Sequence, residues 1–380
     1  MIVPSFSMER WQSHHEHRVR YNLSESGVLP LSLAELLELT GVSASDIRLG
    51  YPQTNGSDGL KRAIAALYPG AGPENVLVTA GSAEANFIAL WHLLEPGDRV
   101  VVLVPAYGQT PGLAKGFGAS VTTFHLEERL DWQPAPGAAA AAIGPDTRLV
   151  VITNPSNPTG SILSAQAMDE IVDACSRRGS WLLADEVYAG AEAEDPPTPS
   201  FWGRYGRTLV SGSLSKAYGL PGLRLGWILG PADQMEDLWA HKDYTSISPS
   251  AASDALATAV LQHATRHIIL SRSRDIILRN RERMEEWIAS CEMLGPWVRP
   301  RAGAIGMVPY RIGLSSTELA DRLRRRSSVL VVPGDHFGLD GYLRIGFGGE
   351  EGELVEALAR IEELLRSEAK LEADGARGVV

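Results

Sequence analysis

Apolar positions along the chain keep two different periods. SDGLKRAIAALY and SAEANFIALWHLL repeat them at i, i+3 and i+4, the spacing of one helix face, while NVLVT, VVVLV, RLVVIT, WLLA and TLVSG are short unbroken apolar runs. Runs without polar alternation predict strands buried on both faces, and their interleaving with helices predicts an α/β domain with a mostly parallel sheet, here over residues 46–245. After Leu238 the pattern lengthens. SPSAASDALATAVLQHATRHIILSRSRDIILRNRERMEEWIASC reads as one or two long helices, followed by short strands at GAIGMVPY, SVLVVPG and YLRIGF and a closing helix at ELVEALARIEELLR. These make a smaller α+β domain from residues 246–368 joined by residues 1–45, with a disordered tail expected over 369–380.

In sheets of this kind ligands gather at the carboxyl ends of the strands, so the residues just after each apolar run are the place to look for chemistry. Gly81 and Ser82 stand between a strand and a helix and leave the N–H groups of Ser82 and Ala83 free for an anion, although a plain turn reads the same way. RLVVITNPSNPTG holds Asn157 between two Asn-Pro turns, where it can donate a hydrogen bond into a cleft. Asp185 ends WLLAD, and a carboxylate buried there needs a cationic or protonated partner, a nearby arginine being the structural alternative. Lys216 follows the run TLVSG in a loop of small residues beside Ser213 and Ser215, and Arg224 follows between glycines. An amine, hydroxyls and a forked cation together suit imine formation beside a phosphate.

Composition narrows the class. The 380 residues are 44% hydrophobic and 21% charged with a net charge of −11, which fits a folded soluble chain and argues against nucleic acid as a partner. No run reaches the 18 apolar residues of a membrane span, and MIVPSFSMERWQSHHEHRVR lacks the apolar core of a signal peptide, so a cytoplasmic protein is expected. Two distant cysteines, Cys175 and Cys291, suit a reducing compartment. No metal site is expected. His14, His15 and His17 lack helical ligand spacing, and His263 and His267 have it without a third ligand, so both groups read as surface or packing.

Taken together, NPSNPTG, Asp185 in ADEVY 28 residues beyond Asn157, Lys216 in SGSLSKAYGLPGLRLGW 31 residues further, and Arg344 in YLRIGF resemble the fold-type I, class I/II aminotransferase superfamily of pyridoxal-5′-phosphate enzymes. The resemblance spans Tyr51 to Phe347 and implies the aspartate-aminotransferase-like fold, with a large domain and a smaller one. It implies that Lys216 binds the cofactor aldehyde and moves the substrate Cα proton, and that Asp185 pairs with the pyridine nitrogen. Asn157 and Tyr188 are then expected on the ring oxygen and Tyr107 on the ring face. Ser82, Ala83, Ser213 and Arg224 are expected at the phosphate, with Tyr51 reaching the phosphate of a neighbouring subunit in a homodimer with shared sites. Arg344 is implied to grip the α-carboxylate of an amino-acid substrate, beside Gly27 and Asn157.

The N-terminal stretch YNLSESGVLPLSLAEL departs from the common pattern of the family. With KDYTSISPSAASD and SVLVVPG it is more similar to the capreomycidine synthase branch, in which a related scaffold cyclises a hydroxylated arginine. Glu25 is then a candidate partner for a guanidinium, or else a solvated loop acid. Two activities follow from the resemblance: transfer of an amino group to a 2-oxo acid, or a cyclisation or elimination on an arginine-like amino acid. A pyridoxal-phosphate-binding transcription factor is disfavoured, because the stretch before Tyr51 has no basic helical segment.

Overall fold

The unbroken apolar runs assemble into one eight-stranded sheet. In a computed structural model, which describes residues 3–377, its strands are β1 (Val76–Thr79), β2 (Arg99–Val104), β3 (Ser120–Glu127), β4 (Gln133–Pro134), β5 (Thr147–Thr153), β6 (Trp181–Asp185), β7 (Thr208–Ser213) and β8 (Gly226–Leu229). They lie in the order β1-β8-β7-β6-β5-β2-β3-β4. Pairing is parallel from β7 across to β3, while β8 runs antiparallel to both of its neighbours and β4 antiparallel to β3. Alternate residues feed two cores, Val101 and Leu103 of β2 entering one and Val100 and Val102 the other, which is why these strands carry no polar alternation. Three strands escape the sequence reading: β3, with several exposed residues, its two-residue edge neighbour β4, and β8, a four-residue, glycine-led run inside a segment read as a loop.

A second, antiparallel sheet of β9 (Ile305–Pro309), β10 (Val332–Pro333) and β11 (Tyr342–Gly346) runs in the order β9-β11-β10. The N-terminal segment is bonded to this part of the molecule. Tyr21–Asn22 pairs in parallel with Val329–Leu330, and Gly346 N donates to Leu23 O at 2.7 Å. Four helices matter for the site: α1 (Ser7–His15), α2 (Ser82–Leu93), α3 (His263–Ser290) and α4 (Glu351–Arg377). α1 is not foreseen by the sequence reading. The helical stretch after Leu238 breaks into Ala251–Val260 and α3 after a separate helix, Met235–Lys242. α4 continues to Arg377, so residues 369–377, expected as disordered tail, are helical here; residues 378–380 lie outside the described residues. Among the described residues no helix is long and apolar enough to cross a membrane. Because β5, β6 and β7 run parallel, their carboxyl ends share one edge, and the segments that follow them meet there.

Candidate active site

That edge opens on a cleft of about 260 Å³. Asp185, at the end of β6, is 6% exposed and lines it. Asn86 Nδ2 donates to Asp185 Oδ2 at 2.9 Å and Val187 N to Oδ1 at 3.2 Å, while Asn86 Oδ1 accepts from Ser211 Oγ at 2.7 Å. Burial pushes the carboxyl above the ordinary aspartate range. The arginine that the structural alternative required is not bonded to it, and Asp185 forms no ion pair among the described residues.

Lys216 faces the same cleft from the loop after β7, and its Nζ makes no hydrogen bond or ion pair among the described residues. Burial lowers its amine from the usual lysine range, with Glu25 pulling the other way. Asn157 and Tyr188 also line the cleft. Tyr188 Oη lies near Ser26 but is buried without a satisfied hydrogen bond, and burial pushes the phenol up to about 12. Arg344, on β11, is 1% exposed. One Nη donates to Asn157 Oδ1 at 3.1 Å and the other to Ser24 O, its Nε has no partner, and no carboxylate pairs with it among the described residues. A buried cation without a counter-ion is a receptor for an anion.

The first turn of α2 brings Ser82 and Ala83 to the opening. Gly81 enters it at φ +87°, and a Cβ there would lie 2.5 Å from Arg224 Nη2. A Cβ at Gly226 would lie 2.5 Å from Gly81 C and 2.6 Å from Ser82 N. These two glycines let the guanidinium and the helix N-terminus converge, so amide N–H groups, the helix dipole and a forked cation address one point. Arg224 itself sits at φ +47°, an uncommon conformation for a residue with a side chain.

Other expected residues fall elsewhere. Ser213 is not among the residues lining the cleft and borders a cavity behind the sheet edge, yet it pairs in register with Gly226 beside the Gly81–Ser82 turn; its Oγ accepts from Ser215 N at 3.1 Å, and Ser215 faces the cleft. Gly27 lines an adjoining chamber of about 340 Å³ that shares Glu25, Ser215 and Lys216 with the cleft. Tyr51 is 86% exposed and outside both. Tyr107 lines the cleft, but its Oη donates to Glu9 Oε1 at 2.7 Å and its ring meets Phe6 edge-on at 4.8 Å.

The sequence reading missed Glu9, Gln12 and Glu16, which enter the cleft from α1 and its end, and Asn86. Asn86 had a signal: it stands four residues after Ser82, a polar residue on the same face of an apolar helix. Glu9 had none, because only the docking of α1 brings it near Tyr107.

A family model described as aminotransferase class I and II matches residues 22–361. The capreomycidine synthase of Streptomyces vinaceus is 33% identical over 97% of this chain and 95% of its own. An arginine–pyruvate transaminase of Pseudomonas aeruginosa is 32% identical over 76% of this chain and 74% of its own. The solved structure of the pyridoxal-phosphate-dependent cyclase OrfR is 28% identical, has a TM-score of 0.89, and is covered over 97% of this chain and 98% of that one. The chain belongs to the class I and II aminotransferase family and is a pyridoxal-phosphate-dependent enzyme acting on an α-amino acid. The residues present fit that cofactor: a buried carboxylate lacking a cation, an unpartnered amine, an orphaned phenol and an anion cradle border one cleft.

Proposed function

We propose that the substrate is an α-amino acid whose side chain ends in a guanidinium or similar cation, and that the enzyme expels a β or γ substituent and closes a ring. Three carboxylates carry the first half. Glu9, Glu16 and Glu25 all line the cleft, and Glu9 and Glu25 have no ion pair among the described residues. A substrate side chain or 2-oxo acid carrying a second carboxylate meets repulsion there, whereas a cation is attracted in a partly shielded site. The full-length likeness to the capreomycidine synthase supports the second half. Transamination with a monocarboxylic 2-oxo acid is the second reading, favoured by the likeness to the arginine–pyruvate transaminase.

Pyridoxal phosphate supplies an aldehyde that condenses with amines and a pyridinium ring that takes up the electron pair left at Cα. In this reading Ser82, Ala83, Ser213 and Arg224 hold its phosphate, Asp185 keeps the ring nitrogen protonated, and Asn157 and Tyr188 bond the ring oxygen beside Tyr107. Asn86 fixes the Asp185 carboxylate in place. Arg344 holds the substrate carboxylate, with Gly27 leaving the backbone close to Lys216. Lys216 Nζ takes the Cα proton and donates it to the departing β oxygen, which leaves as water as the Cβ–O bond breaks; a side-chain nitrogen then bonds to Cβ and its proton passes through Lys216 back to Cα. Tyr51 is exposed beside Leu49, also 87% exposed, where a second copy of the chain would receive it, so a homodimer with shared sites is part of the reading. A cytoplasmic location fits the two buried free cysteines, Cys175 and Cys291, and a biosynthetic role fits the likeness to the capreomycidine synthase.

The test is holoenzyme incubated with β-hydroxyarginine and no 2-oxo acid, followed by mass spectrometry and NMR. A cyclic product lighter by one water is expected. Alanine formed from added pyruvate at a comparable rate would replace cyclisation by transamination, and equal turnover of neutral amino acids would overturn the cationic substrate.

A further inference from the structure

Behind the strand edge lies a second cavity, of about 610 Å³, that shares no lining residue with the cleft. His263, Arg266 and His267, at i, i+3 and i+4 on the first turns of α3, form one of its walls. Arg266 Nε donates to Tyr218 Oη at 3.1 Å, and the guanidinium forms no ion pair among the described residues. Glu186 and Glu192, 5% and 3% exposed, line the same cavity. Glu186 Oε1 accepts from Ser200 Oγ at 2.9 Å and Phe201 N at 2.8 Å, while its Oε2 accepts no hydrogen bond among the described residues. Glu192 accepts from Gly190 N at 3.0 Å and Thr198 N at 3.1 Å, and Thr198 Oγ1 is buried without a partner.

Buried carboxylates and a guanidinium on the walls of one cavity would ordinarily be expected to pair, since an unpaired buried charge is costly. Arg274 and Asp195, on the same cavity, do pair at 3.0 Å, but Arg266 pairs with neither Glu186 nor Glu192. A pocket that keeps one guanidinium apart from two carboxylates, with one oxygen of a deeply buried carboxylate left open, has the pattern of a molecule carrying both signs.

We propose that this cavity is a second binding site, for a small zwitterion of the free amino-acid class. The ligand's carboxylate meets Arg266, flanked by His263 and His267, and its ammonium donates to Glu186 Oε2 and Thr198 Oγ1. The site does not depend on the reaction proposed for the cleft.

N,N-dimethylglycine is a suitable probe, because its ammonium keeps one N–H for Glu186 but cannot condense with an aldehyde. Isothermal titration of the holoenzyme should show saturable binding that weakens about tenfold or more in Arg266→Gln and in Glu186→Gln, as expected for loss of one charged partner, and changes less than about twofold in Arg344→Lys. Acetate and trimethylammonium, each carrying one charge, should bind about tenfold more weakly than the zwitterion. Absence of saturable binding overturns the proposal. So does binding that survives Arg266→Gln but is lost in Arg344→Lys, which would put the probe in the cleft. If Glu186→Gln fails to fold, Arg266→Gln, on a half-exposed helix face, decides alone.

Discussion

The strand-end edge and the N-terminal segment meet at one cleft but are held there in different ways. Asp185 ends a strand bonded on both sides in a five-strand parallel run, and Asn157 and Lys216 follow strands of the same run. Glu9 and Glu25 belong to a nine-residue helix and a short extended stretch tied down by isolated contacts, among them Trp11 Nε1 to Val331 O at 2.9 Å and Gln12 Nε2 to Ser24 O at 2.7 Å. Groups that must meet reacting atoms to within fractions of an ångström sit on the rigid sheet. Groups that choose a substrate sit on a segment whose sequence can change without disturbing the sheet.

The largest effects should therefore come from the edge. Lys216→Ala is expected to cost about 10⁴-fold in kcat, the upper range for a lost proton-transfer group, while the apoprotein still binds cofactor through the α2 N-terminus and Arg224. Retained turnover in steady-state assays would remove Lys216 from the chemistry. Asp185→Asn should cost about 10³-fold, because a neutral amide does not hold the ring nitrogen protonated. Asn86→Ala should lose about tenfold, since it removes one hydrogen bond to the carboxylate without removing its charge. If Asn86→Ala proves as damaging as Asp185→Asn, the asparagine has a role beyond positioning.

The same division explains what was legible in the sequence. Each residue expected along the edge is anchored by a strand that the apolar pattern reveals, so a turn or two beyond the run suffices to place Asp185, Asn157 and Lys216 together. Arg344 was legible only through the family resemblance, because the strand that carries it belongs to the other sheet. Glu9 was illegible by either route: α1 packs through Met8 and Gln12, one turn apart, and no periodicity tells a docked nine-residue helix from a solvated one. Ser213 shows the limit in the other direction: it ends β7 and borders the cavity behind the edge, while Ser215, two residues on in the loop after the strand, is the one that lines the cleft.

Substrate choice is the quantity that tests the N-terminal half of the comparison. Glu9→Gln and Glu25→Gln are each expected to raise KM for arginine-like substrates about tenfold and to leave neutral amino acids unchanged, because an ion pair partly shielded from water is lost only with the former. Glu9→Gln keeps an acceptor for the Tyr107 hydroxyl, so a loss on every substrate alike would mark α1 as a structural prop and not a selector. No change in either variant would return the choice of substrate to the edge.

The smallest expected effect comes from Glu186, which shares a strand end with Asp185 yet faces the other cavity. Burial is the main cause that pushes its carboxyl up to about 7; the charge of Asp185 adds to the rise, and hydrogen bonds from Phe201 and Ser200 and the Arg204 guanidinium oppose it. Its folded-state pKa thus lies above the unfolded value near 4.5, so the folded chain binds the proton more tightly between these values. The stability this group contributes is full below about pH 4.5 and lost as pH rises to about 7. Glu186→Gln removes the titration while keeping an acceptor for Ser200 and Phe201. The melting temperature of the variant should therefore gain on that of the wild type by a few degrees as pH rises through this window, and then stay level at higher pH. A difference that is constant from pH 5 to pH 8 would show Glu186 ionised throughout, and its buried position would then need a permanent cation that the strand edge does not supply.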